Sequence, residues 1–115
     1  MFTVFEKHLF LLGFVCVFGT QLIFAQNSIK LKYKKSEIYA GIEVGSKGVK
    51  MSLLEISRES QKNLDFNILK DSSVNTDFIS FTQPVFEATL NSLTGLYNTA
   101  INDYKLTPQK VFTVI

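Results

Sequence analysis

Two alternating runs and one long helical stripe organise this chain. From Ile38 to Val44 the residues are apolar except for Glu43, which predicts a buried strand. Val49, Met51, Leu53 and Glu55 then alternate with Lys50, Ser52, Leu54 and Ile56, the period-two pattern of a second strand. Its apolar face becomes two-sided at Leu53 and Leu54. Ser46-Lys47-Gly48 has hairpin length, with glycine where a positive φ is expected. Ser57 to Asn63 is polar and predicts a second turn. Leu64, Phe66 and Ile68 alternate into a third strand, with Leu69 at its border, and Asp71 to Thr76 predicts a polar loop.

Thr82 or Gln83 opens a helix, with Pro84 tolerated in the first turn and Glu87 favourably near the N-terminus. Phe86, Leu90, Leu93, Tyr97, Ala100, Ile101 and Tyr104 step by three and four, which predicts a stripe packed on a sheet. Gly95 costs about 1 kcal/mol relative to alanine and is expected to let the helix approach that sheet closely. Leu106-Thr107-Pro108 ends the helix. Val111 to Ile115 predicts a further buried strand. The order is β-β-β-α-β, an α/β fold with three antiparallel strands and a crossover to a strand parallel to the first.

The N-terminal pattern is different. Met1 to His8 is a short n-region with Lys7 and His8, and Leu9 to Ala25 is apolar apart from Thr20 and Gln21. With a small residue before Gln26, this reads as a secretory signal peptide over residues 1–25. The rival is an uncleaved membrane anchor: as a helix the run would extend about 26 Å, against roughly 30 Å of hydrocarbon core. Lys30, Lys32, Lys34 and Lys35 favour the anchor, since positive flanks resist export. Cleaved export is the favoured reading, with a periplasmic or envelope location. It leaves residues 26–36 as a basic linker and 37–115 as the domain.

Composition narrows the chemistry. The 115 residues suffice for one small domain. After Ala25 there is no Cys, His or Trp, so residues 26–115 hold no thiolate or imidazole zinc site, no Ser-His-Asp triad, no cysteine nucleophile and no disulfide. A metal would be hard and oxygen-bound, magnesium or calcium. From Ser36 onward seven Lys and Arg face nine Asp and Glu, so the overall formal charge of +2 belongs to the N-terminal part. An acidic domain argues against nucleic-acid binding. The lysine run reads first as solvated charge. A sharper reading is attraction to anionic lipid, worth about 1 kcal/mol per lysine near such a surface.

The chemistry concentrates in Ala40-Gly41-Ile42-Glu43-Val44-Gly45-Ser46-Lys47-Gly48-Val49. A strand delivers one carboxylate, then breaks into a short loop, then resumes. Glycines at 45 and 48 let successive backbone N–H groups face one concavity suited to phosphate. Ser46 adds a hydroxyl, and Lys47 or Lys50 adds charge. Glu43 is placed to hold Mg²⁺ through water, since magnesium keeps several waters. The same residues also make an ordinary hairpin turn with an edge-strand charge.

The stretch Tyr39 to Lys50 resembles the first phosphate motif of the actin/Hsp70/sugar-kinase superfamily, in particular the exopolyphosphatase and guanosine-pentaphosphate phosphohydrolase (Ppx/GppA) family. That pattern is an apolar strand, Asp, one residue, Gly-Ser, a short turn and an apolar strand. The resemblance extends over about Ser36 to Ile115. It implies a ribonuclease-H-like fold, of which this sequence is the first part of the first domain. It further implies phosphate contacts from Gly45, Ser46, Lys47 and Gly48, and a metal-associated role for Glu43. Glu43 departs from the family's Asp by one methylene, which pushes a metal outward or weakens the site. The family's second glycine-rich loop and its water-activating glutamate match no residues here, so no catalytic residue is assigned.

The resemblance implies the N-terminal part of an exported phosphoanhydride hydrolase acting on polyphosphate or a related polyanion. Export favours this over an ATP-driven enzyme, because ATP is scarce outside the cytoplasm. A domain facing the cytoplasm would instead suit an actin-like ATPase binding a nucleotide. The alternative is a degenerate, non-catalytic binding or scaffold module of the envelope.

Overall fold

The computed structural model describes residues 29–115. The apolar run Leu9 to Ala25, and with it the question of signal peptide or anchor, lies outside them. The chain is a mixed α/β unit built on one four-stranded sheet of order β3-β2-β1-β4. Strands β1 (Ser36–Gly45) and β2 (Gly48–Ser57) form an antiparallel hairpin, paired without interruption from Ser36 opposite Ser57 to Gly45 opposite Gly48. Strand β4 (Val111–Val114) lies parallel to β1 on its other side, with Ala40 opposite Val111 and Glu43 opposite Val114. The predicted crossover is therefore present.

Strict alternation decides which face is inside. Ala40, Ile42 and Val44 of β1 and Val49, Met51 and Leu53 of β2 are buried. Glu43 and Lys50, at intervening positions, are exposed on the opposite face. The buried face packs against α2 (Gln83–Asn98) through Leu96, and against Ala100 and Leu106 beyond it.

Several elements differ from the sequence expectation. Ser57 to Asn63 is a helical turn, α1 (Arg58–Asn63), not a simple turn. Ser57 caps it, accepting from the Ser60 N–H at 2.9 Å while the Ser60 hydroxyl accepts from the Ser57 N–H at 2.8 Å. This reciprocal serine pair satisfies two donors otherwise left open at a helix start. Leu64 then ends α1 with φ 54°. Strand β3 (Asn67–Asn75) includes most of the stretch expected as a polar loop. It is a sheet-edge strand exposed over most of its length, so its pairing with β2 does not require apolar residues. A bulge shifts the register between Leu53 and Leu54, so Leu69 rather than Ile68 turns toward the core.

The expected stripe holds at Leu93, Tyr97, Ala100 and Tyr104, which pack on the core, but not at its start on α2. Thr89 and Leu96 are buried, Leu93 and Tyr97 are partly so, and Phe86 and Leu90 are 47% and 49% exposed. Gly95 is exposed, and a Cβ there would meet nothing within 4 Å, so it does not mediate a close approach to the sheet. The helix passes into a π turn, Thr99–Asp103, and Lys105 leaves it at φ 56°, before the expected stop at Leu106 to Pro108. Strand β4, expected to be buried, is largely exposed. Among the described residues, no helix is long and apolar enough to cross a membrane.

At the far end from the hairpin turn, Glu55 is buried on the core face. Its carboxylate accepts the Ser36 hydroxyl at 2.6 Å, Asn67 Nδ2 at 2.7 Å, and the backbone N–H groups of Lys32 and Tyr33 at 2.8 Å each. Burial alone would raise its pKa from 4.5, but these hydrogen bonds outweigh burial and hold it at about 2. The basic segment before β1 thus has a fixed backbone, while the lysine side chains at 30, 34 and 35 stay in solvent.

Candidate functional site

The glycine-flanked loop is the tip of the β1–β2 hairpin. Gly45 and Gly48 are the last paired residues, and Ser46 and Lys47 form an exposed two-residue turn. The two glycines serve different needs. Gly48 has φ +140°, and a Cβ there would run into the Val74 carbonyl oxygen. Strand β3 passes too close for any side chain, so packing alone explains this glycine. Gly45 has no such constraint: the one atom near its missing Cβ is Glu43 Oε1, at 3.8 Å. The carboxylate of Glu43 therefore lies beside the bare backbone of Gly45, on the open face of the sheet.

The tip is anchored from below. Thr76 N–H donates to the Lys47 carbonyl at 3.1 Å. The Thr76 hydroxyl is 2.8 Å from that of Thr89, which in turn donates to the Val85 carbonyl at 2.8 Å. Thr89 lies in the N-terminal half of α2. The hairpin tip, the end of β3 and the start of the crossover helix are thereby tied together at the carboxyl ends of β1 and β4, the end at which α/β sheets bind ligands.

All five residues singled out from the sequence fall in this region. Glu43, Gly45, Ser46 and Lys47 share an accessible surface, and the loop hydrogen bonds leave the N–H groups of Ser46 and Lys47 unused among the described residues. Gly48 is buried beneath the turn, where it shapes the loop. Lys50 stands opposite Glu43 in the ladder, on the same open face, and forms no ion pair within 4.0 Å among the described residues.

Two contributors were not singled out. Gly41 lies on the open face two residues before Glu43, and a Cβ there would meet nothing within 4 Å. Thr76, which fixes the Lys47 carbonyl, stands in the sequence only as the end of a polar loop. The bare Gly41 was legible as a glycine inside an apolar strand, a sign of close backbone approach. The Thr76 contact depends on β3 reaching the hairpin tip, which its polar sequence concealed.

No group of three or more His, Cys, Asp or Glu is gathered for a metal ion among the described residues. Glu43 offers a single carboxylate beside the loop, and that suits magnesium held by one carboxylate, waters and a bound phosphate. Comparison with known protein families, with characterised proteins and with solved structures returned no match to this chain.

Proposed function

We propose that the β1–β2 hairpin binds a terminal phosphate of a phosphoanhydride polyanion, as the first phosphate loop of a ribonuclease-H-like domain of the Ppx/GppA type. The observation that carries this reading is Gly45. Nothing in the fold requires a glycine there, yet it stands bare between the Glu43 carboxylate and the exposed Ser46-Lys47 turn. Open backbone, a hydroxyl, a lysine and one carboxylate at the carboxyl end of a parallel strand pair are what a metal-bound phosphate needs. The strand order and the parallel β4 support the superfamily.

In this reading Ser46, Lys47 and the loop N–H groups hold the phosphate oxygens. Glu43 orients the water shell of Mg²⁺, which would supply charge neutralisation to the phosphate. Hydrolysis would be attack of a water oxygen on phosphorus with loss of the bridging oxygen. The group that takes the water's proton matches no residue of this sequence, so the chain contributes binding rather than catalysis. The enzyme is proposed to be exported, with 1–25 as its signal peptide or, uncleaved, as its membrane anchor.

A non-catalytic module of the same fold is the second reading. It is favoured by Gly48, which packing against Val74 explains without any ligand.

The test is calorimetric titration of Mg²⁺ and tripolyphosphate into the full chain. Binding lost in both Ser46→Ala and Glu43→Ala, with folding intact, is the expected result. Binding unchanged in both variants, or absent from the folded wild type, would reject the phosphate-loop assignment.

A further inference from the structure

The strongest feature outside the hairpin site is the basic strap at the other end of β1. Its backbone is pinned by Glu55 through the N–H groups of Lys32 and Tyr33, and by the Tyr33 hydroxyl, which donates to the Asp65 carbonyl at 2.7 Å. The strap brings Lys34 and Lys35 against Arg58, at the start of α1, around one open cleft that also includes Ser57 and Glu59.

The surrounding acids are mostly neutralised. Asp65 is paired with Lys32 at 2.5 Å, and Glu37 with Lys110 at 3.5 Å. Lys34, Lys35 and Arg58 form no ion pair among the described residues, nor do Lys30 and Lys62, which flank them in sequence. Among the described residues, two acids without an ion pair remain beside the group: Glu59, in the cleft, and the buried Glu55 carboxylate beneath the strap. The rest of the domain is net acidic, so positive charge collects at this end, while the hairpin tip lies a full strand length away.

We propose that Lys34, Lys35 and Arg58, flanked by Lys30 and Lys62, form a platform that rests against an anionic lipid surface. Lipid is chosen over a soluble polyanion on two grounds. With residues 1–25 retained as an anchor, only Gln26 to Ile29 separate Lys30 from the apolar run ending at Ala25, a reach of at most about 14 Å. Leu31, exposed at 44%, and the half-buried Tyr33 add apolar and amphipathic side chains beside the lysines, a composition suited to a headgroup layer. A pinned backbone also spares the ordering entropy that a free lysine tail would lose on docking. The hairpin is then directed away from the surface, open to solvent.

The test is hydrogen exchange on the full chain reconstituted in nanodiscs of phosphatidylcholine alone or with phosphatidylglycerol. Slower exchange across residues 30–36 and 58–62 in the anionic discs alone, reversed by salt, is the expected result. The affinity of residues 26–115, which hold every described element, for anionic vesicles should fall on the order of a hundredfold in Lys34→Glu/Lys35→Glu/Arg58→Glu and stay unchanged in Lys70→Glu. If the triple variant does not fold, Lys34→Gln/Lys35→Gln serves instead, with a smaller loss. Equal protection in both discs, an equal loss in Lys70→Glu, or the same protection from tripolyphosphate without lipid would overturn the proposal.

Discussion

The carboxylate of Glu55 accepts the backbone N–H of Tyr33 at 2.8 Å, across 22 positions of sequence. This contact joins the segment ahead of β1 to the core face of β2, and Lys32 N–H joins the same carboxylate from the neighbouring residue. Glu55→Ala leaves those two N–H groups, the Ser36 hydroxyl and Asn67 Nδ2 without their acceptor. It is expected to destabilise the chain by on the order of 1–3 kcal/mol, read by urea denaturation. Proteolysis after Lys32, Lys34 and Lys35 should accelerate in step.

The same carboxyl sets an acid dependence. Its ordinary pKa of 4.5 falls to about 2 in the folded chain. As pH drops, the unfolded chain takes up this proton first. The stabilisation from Glu55 is therefore complete above about pH 4.5 and is lost between there and pH 2. Denaturation midpoints measured through that window should fall more steeply for wild type than for Glu55→Gln. Parallel pH profiles would reject Glu55 as the responsible group.

The two loop glycines separate folding from binding. Gly48→Ala places a methyl against the Val74 carbonyl at a φ that alanine rarely adopts. A loss of at least about 2 kcal/mol is expected in thermal or urea unfolding. Gly45→Ala meets only Glu43 Oε1 at 3.8 Å and should change stability little. Its effect should appear in tripolyphosphate titration, because the methyl stands between the carboxylate and the turn. A Gly45→Ala variant that unfolds as readily as Gly48→Ala would assign both glycines to the fold.

How far these features were legible depends on what each residue reports. The β1–β2 hairpin was plain because alternation from Ala40 to Val44 and from Val49 to Leu53 records one buried face directly. The site residues lay within that hairpin and came with it. Strand β3 was obscured because Asp71, Ser72, Ser73 and Asn75 lie in an edge strand with little burial, which leaves no apolar record of the pairing. Glu55 looked like the polar end of an alternating strand. Its burial depends on four donors brought from 32, 33, 36 and 67, none of them local.

The helix shows the limit of periodicity most clearly. Phe86 and Leu90 fit the three-and-four spacing as well as Leu93 and Leu96 do, yet only the latter pair faces the sheet. Thr89, polar by composition, takes a buried position because its hydroxyl is satisfied by Val85 and Thr76. Leu96→Ala should therefore cost about 2–4 kcal/mol, and Phe86→Ala about 0.5 kcal/mol or less, in urea denaturation. Equal losses would restore the stripe through Phe86 as the packed face.

Among the described residues, strand β4 pairs with β1 alone, and its other edge is open. Phe112 and Val114 are 57% and 66% exposed, on the same face as Tyr39 and Glu43 by register. An open edge with apolar side chains is a template for pairing with another strand. The chain should therefore self-associate with rising concentration in sedimentation velocity. Val114→Lys places a charge on that edge, where burial against a second strand would be costly, and should shift the population toward monomer. Val74→Lys, on the opposite edge of the sheet, should not. A wild type that stays monomeric throughout, or a Val74→Lys that acts equally, would place the association surface elsewhere than β4.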